Sequence, residues 1–183
     1  ALPICFIGTL KYAPNREGLE WFIQQVWPLV RRRDPEARLR IVGASSAVPV
    51  GDERVGIDEL GFVEDAAGEI STWSLMIVPI LVGGGTRIKI AEAFSRRCPV
   101  VATRQGAYGY VLRDGGECFL ADDATAFATA CSALIEDESL GRAMADRARA
   151  MFDRELSWDA IEPRIAGTVE ACLRMKPVAG CTT

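Results

Sequence analysis

The sequence contains no histidine. That excludes imidazole general bases, histidine-containing catalytic triads and histidine metal ligands together. It contains six cysteines, Cys5, Cys98, Cys118, Cys131, Cys172 and Cys181, but no CxxC pair. Most lie among apolar neighbours, so they read as buried thiols of a reducing, cytoplasmic compartment rather than zinc ligands or a disulfide framework. No apolar run approaches the roughly 20 residues of a membrane-spanning helix, and no secretory leader is visible. Basic residues gather only briefly, at Arg31-Arg32-Arg33, and the net charge is -4. A nucleic-acid partner is therefore not expected. The three arginines end a predicted helix, where the dipole favours cations.

What is present is an ordinary globular composition. With 183 residues, 49% of them apolar and 25% charged, the chain suits one domain with a substantial core. Strand-like runs alternate with helical periodicity. ICFIG (4–8) reads as a buried strand, and Pro14-Asn15 opens a helix to about Val30. Its apolar positions Leu19, Phe22, Ile23, Val26, Trp27 and Val30 follow the 3.6-residue period. Trp21 and Trp27 read as packing residues of that helix. RLRIVGA (38–44) is a second strand, ELGFVED (59–65) a third leading into a short helix at 65–72, and SLMIVPIL (74–81) a fourth. After a glycine loop comes a helix to about Arg97, then strands PVVAT (99–103) and ECFLA (117–121), with QGAYGYVL as a loop or short turn of helix between them. Asp122 or Asp123 caps a helix to about Glu136, and further helices cover 139–153 and Ser157 to Met175.

This alternation predicts an α/β fold, a doubly wound parallel sheet of Rossmann-like type. Residues 1–176 form its single domain and 177–183 a disordered tail. The chain opens almost directly on a strand, which reads as a domain excised from something longer.

The stretch VGGGTRIKIAE (82–92) poses the chemical question. Gly83, Gly84 and Gly85 are costly to order, and Thr86 is a good N-cap for the helix behind them. Arg87 and Lys89 then stand at the positive end of that helix, where cations are unfavourable. In doubly wound sheets ligands bind at the carboxyl ends of the strands, where this loop lies. Free N–H groups at a helix start, a close approach allowed by glycine, and two cations together suit the phosphates of a nucleotide. Two bland readings stand beside that one: glycines are common in strand-to-helix turns, and Lys89 sits three residues from Glu92 at ion-pairing distance along a helix. The loop is neither a Walker A sequence nor the GxGxxG fingerprint. Glu92, on the edge of an apolar arc formed by Ile88, Ile90, Ala91 and Phe94, could accept hydrogen bonds from a ribose diol.

The order of these pieces resembles the C-terminal, donor-binding domain of group 1 (family 4) glycosyltransferases of the GT-B fold. The matching segments are FIGTLKYAPNREGLEWF, RLRIVGA, ELGFVED, MIVPILVGGGTRIKIAEAFSRRCPVVAT and a late ELSW, covering about residues 4–165. The resemblance implies a retaining transferase that binds a nucleotide-diphosphate sugar as donor substrate, with no further cofactor and no catalytic metal. It implies an N-terminal acceptor-binding domain as partner, with any peripheral membrane association carried by that half. Of the family's paired glutamates, the one that holds the ribose falls on Glu92, whereas the one that contacts the sugar falls on Gly84. The arginine that grips the diphosphate beside Gly8 falls on Thr9, and its companion lysine lies near Asn15. Arg87 and Lys89 would replace the lost cations and carry the chemistry by stabilising the departing diphosphate. The base would be held by the loop at Phe62 and Val63. Two other readings remain open: a degenerate, non-catalytic scaffold domain, and another nucleotide-sugar enzyme such as an epimerase.

Overall fold

The computed structural model describes residues 3–43 and 56–174. The stretch 44–55, the predicted tail 177–183 and the predicted helix end at Met175 lie outside the described residues. Six strands, β1 (Ile4–Ile7), β2 (Leu39–Val42), β3 (Ile57–Gly61), β4 (Leu75–Val78), β5 (Val100–Ala102) and β6 (Phe119–Leu120), form one sheet. All neighbours pair in parallel, in the order β3-β2-β1-β4-β5-β6.

Strand side chains alternate between faces, and here both faces are apolar. Ile4, Phe6, Leu39, Ile41, Leu75, Ile77 and Val101 belong to one core cluster, while Cys5, Met76, Val78, Val100 and Ala102 belong to the other. Helices therefore cover both sides, which is why the strand sequences read as continuous apolar runs. The first layer holds α1 (Ala13–Trp21), a π turn (Phe22–Val26), α2 (Trp27–Arg33) and α5 (Ala124–Glu136). The second holds α3 (Ala66–Ile70), α4 (Ile88–Ser95) and α6 (Glu138–Glu155). Fully buried Phe22 and Phe127 on one side and Phe94 on the other each contribute about 1.5–3 kcal/mol by leaving water.

The first predicted helix runs on to Arg33 and contains a π turn that periodicity does not announce. Trp27 N–H bonds the carbonyl of Phe22, five residues back. Pro28 follows at the start of α2; it has no N–H to give and its ring crowds the carbonyl of Gln24. A widened turn just before it absorbs that conflict. The arginine triplet sits in the last turn of α2, as expected. Trp27 is buried in the core, and Trp21 packs edge-on against Phe127 at 5.7 Å.

β4 ends at Val78, three residues short of the predicted limit, because Pro79 cannot donate to the ladder. Of the two candidate caps, Asp123 accepts from Ala126 N–H and starts α5. Asp122 instead accepts from Arg104, at its backbone N–H and its guanidinium, both at 2.8 Å. α7 (Trp158–Arg174) lies against α6 and buries none of its own residues.

Candidate functional site

β1 and β4 are neighbours at the centre of the sheet, yet the chain leaves them toward opposite layers, β1 into α1 and β4 into α4. A crevice opens at such a switch point, outside the carboxyl ends of the two strands. Gly8 and Thr9 follow β1 there, and the loop from Pro79 to Arg87 follows β4. Helix α1 approaches closely: a Cβ at Gly18 would stand 2.2 Å from the Pro79 carbonyl oxygen, so only glycine fits.

Lys89 brings a cation into the crevice. Lys89 Nζ donates to Asn15 Oδ1 at 2.9 Å and sits 4.6 Å from the centroid of the Phe6 ring. Asn15 Nδ2 in turn donates to the carbonyl of Thr9 at 3.0 Å. Gly8 makes room for both: a Cβ there would meet Asn15 Nδ2 at 2.7 Å and Lys89 Nζ at 3.1 Å. Burial lowers the Lys89 amine from its ordinary range to about 8, the charge of Arg87 adds to the effect, and Glu92 opposes it. The partner of this lysine is Asn15, not Glu92. The helical ion pair offered by the i,i+3 spacing gives way because the Lys89 side chain turns toward β1.

Arg87 is placed otherwise than the sequence suggests. It is 8% exposed, and its Nη1 and Nη2 donate to the carbonyls of Gly84 (2.8 Å) and Gly83 (3.0 Å). Its guanidinium therefore ties down the glycine loop instead of facing outward at the helix start. Gln105 Nε2 donates to the same Gly83 carbonyl, and Tyr110 donates to the carbonyl of Arg87 at 2.8 Å. Thr86 is not the N-cap: Arg87 holds that position, no side chain caps α4, and Thr86 is exposed one residue earlier. Ile88 also leaves the expected apolar arc and is 72% exposed; Ile90, Ala93 and Phe94 are the buried face of α4.

Gly83, Gly84 and Gly85 are exposed, and a Cβ at Gly84 or Gly85 would meet nothing within 4 Å. Glu92 is exposed on α4. Phe62, just past β3, is 80% exposed rather than part of the core, while Val63 packs against the second cluster. β3 lies two strand positions from β1 along the same carboxyl edge, or about 10 Å at ordinary strand spacing. The structure thus gathers Gly8, Thr9, Gly83, Gly84, Gly85, Arg87 and Lys89 at the crevice, with Phe62 and Val63 farther along its rim. The sequence gives no local signal for Gln105 and Tyr110, which lie in a segment read only as a loop or short turn of helix. It also left unforeseen the tie between Asn15 and Lys89. Among the described residues no three His, Cys, Asp or Glu side chains form a metal-binding group, and no helix is long and apolar enough to cross a membrane.

A family model for glycosyl transferases, group 1, matches residues 2–137. A phosphatidyl-myo-inositol mannosyltransferase of Mycobacterium leprae is 29% identical over 176 residues, covering 91% of this chain and 46% of that protein. HepE of Anabaena, solved in complex with UDP, shares the fold with a TM-score of 0.75 at 19% identity, over 93% of this chain and 49% of its own. The C-terminal domain of a group 1 family glycosyl transferase (LpcC) of Francisella tularensis matches over 86% of this chain and 89% of its own, with a TM-score of 0.69 at 16% identity. The chain spans less than half the length of the curated relatives it matches.

Proposed function

The chain belongs to the group 1 glycosyltransferase family, and from that premise we propose that it is the donor-binding half of a retaining glycosyltransferase. It holds a nucleotide-diphosphate sugar, and an N-terminal half of the same protein presents the acceptor across the crevice. The observation that carries this reading is the half-buried Lys89 ammonium at the switch point, beside an exposed glycine loop. A cation held at that depth, next to backbone that side chains do not cover, suits a diphosphate.

In this reading Lys89 and the loop N–H groups bind the phosphates, with Gly8 and Thr9 on the opposite wall. Glu92 accepts from the ribose hydroxyls, and the loop at Phe62 and Val63 takes the base. As the sugar leaves, charge grows on the diphosphate, and donors already fixed in place stabilise it without reorganisation. No histidine is available, and the reaction as proposed needs no metal. The neighbour crystallised with UDP supports a uridine donor as the first to try.

Calorimetry with UDP, GDP and ADP tests the reading on wild type, Lys89→Gln and Glu92→Ala. One diphosphate should bind preferentially, and Glu92→Ala should weaken it by about 1.5–3 kcal/mol, the scale of a charge-assisted hydrogen bond. Equal or absent binding by all three proteins rejects the site. Gly84 and Thr9, standing where the family has a glutamate and an arginine, favour a second reading, a non-catalytic scaffold. That reading predicts no nucleotide binding in the wild type.

A further inference from the structure

We propose that Arg87 is a positioning residue for the donor diphosphate: it aims the N–H groups of Gly84 and Gly85 at the phosphate without touching it. The inference rests on the donor-binding reading and assigns roles within the same site. A trans peptide is planar, and its C=O and N–H point in opposite directions. The Gly83 carbonyl is held by Arg87 Nη2 and Gln105 Nε2, so the N–H of the same peptide, that of Gly84, points away from both. The Gly84 carbonyl is held by Arg87 Nη1, so the Gly85 N–H is likewise turned outward.

Among the described residues, neither N–H donates to a protein acceptor. The space beside both glycines is open. One planar guanidinium bridging consecutive carbonyls thus locks two peptide planes in one orientation. A chain of three glycines has little tendency to hold that orientation unaided. Tyr110, bonded to the Arg87 carbonyl, fixes the arginine backbone from behind. Lysine cannot replace this clamp, because a single ammonium lacks the rigid fork that reaches two acceptors at once.

The test uses UDP and UMP as probes, since the Gly84 and Gly85 donors serve the distal phosphate in this scheme. In wild type, UDP should move the Gly84 and Gly85 amide signals in nitrogen–proton correlation spectra, and UMP should not. Arg87→Gln and Arg87→Lys should each bind UDP at least tenfold more weakly, bind UMP as wild type does, and lose the UDP response of the two amides. Gln105→Ala, at a half-buried residue on the same carbonyl, should weaken UDP twofold to fivefold with UMP unchanged. If Arg87→Lys keeps wild-type UDP affinity, charge rather than orientation is what matters and the proposal fails. It fails too if UMP weakens as much as UDP, or if Gln105→Ala and Arg87→Gln both bind UDP normally. Should wild type bind no nucleoside diphosphate, the donor-binding reading falls first and this inference with it.

Discussion

The side chains of Lys89 and Asn15, 74 residues apart in sequence, meet at 2.9 Å across the crevice between β1 and β4. The bond ties the first turn of α4 to the first turn of α1, the two helices that leave the sheet on opposite sides. It holds a cation over the end of β1, 4.6 Å from the centroid of the Phe6 ring. A lysine from the helix that follows β4 thereby brings positive charge to the end of the first strand.

The lowered pKa of Lys89 gives a stability window with a definite sign. Below about pH 8 the amine is charged in both folded and unfolded chains, and its burial costs a constant amount. Between about 8 and the ordinary value of 10.5, the folded protein has released a proton that the unfolded chain still binds. Stability therefore rises with pH across that window. The urea midpoint of wild type should gain on that of Lys89→Met from pH 8 to 10, and a constant difference would contradict the assignment.

Bound diphosphate should raise the same pKa, because an opposite charge favours the ammonium. Nucleotide binding near pH 8.5 should then take up protons, seen as a dependence of the calorimetric enthalpy on the buffer's ionisation heat. Affinity should fall as pH rises through about 8. In Lys89→Met both effects should vanish.

Arg87 and Lys89 should differ in what they do for the empty protein. Arg87→Gln removes two charge-assisted hydrogen bonds to the loop and should cost about 1–2 kcal/mol, less than two buried bonds would, because water can reach the freed carbonyls. Lys89→Met removes a desolvated charge and should leave the melting temperature unchanged or raised. Thermal melts without nucleotide check this; equal losses in both variants would mean that Lys89 is also structural.

Phe62→Ala should leave stability unchanged, since the ring is 80% exposed. If the ring faces the base, nucleotide affinity should fall by about 1 kcal/mol, the scale of an aromatic contact. An unchanged affinity for UDP and GDP alike would place the base elsewhere.

Gly84→Glu places a carboxylate where the family resemblance expects one. The backbone there is not left-handed and a Cβ meets no neighbour, so the variant should fold and melt as wild type does. It should tighten a nucleotide sugar relative to the bare diphosphate by about 1.5–3 kcal/mol if the new carboxylate accepts from the sugar. Titration with UDP-glucose against UDP measures the difference, and no relative gain would show that glycine has moved the sugar out of reach.

The sequence by itself determined the sheet and its covering. Strand runs apolar on both faces, such as LMIV in β4, and the 3.6-residue spacing from Leu19 to Val30 follow from local periodicity, which tertiary packing had no reason to override. The glycine loop's place between a strand and a helix was legible for the same reason. What the two neighbouring cations do was not legible. Along the chain Arg87 and Lys89 look alike, both misplaced against a helix dipole. Only the fold separates them: Arg87 turns back onto carbonyls three and four residues before it, and Lys89 reaches Asn15 on a helix from the other end of the crossover. Local rules also placed the cap on Thr86 and Ile88 in the core, because they cannot register that the loop's hydrogen bonds to Gln105 and Tyr110 set where α4 begins. Partners distant in sequence decide such matters, through geometry that no spacing along the chain encodes.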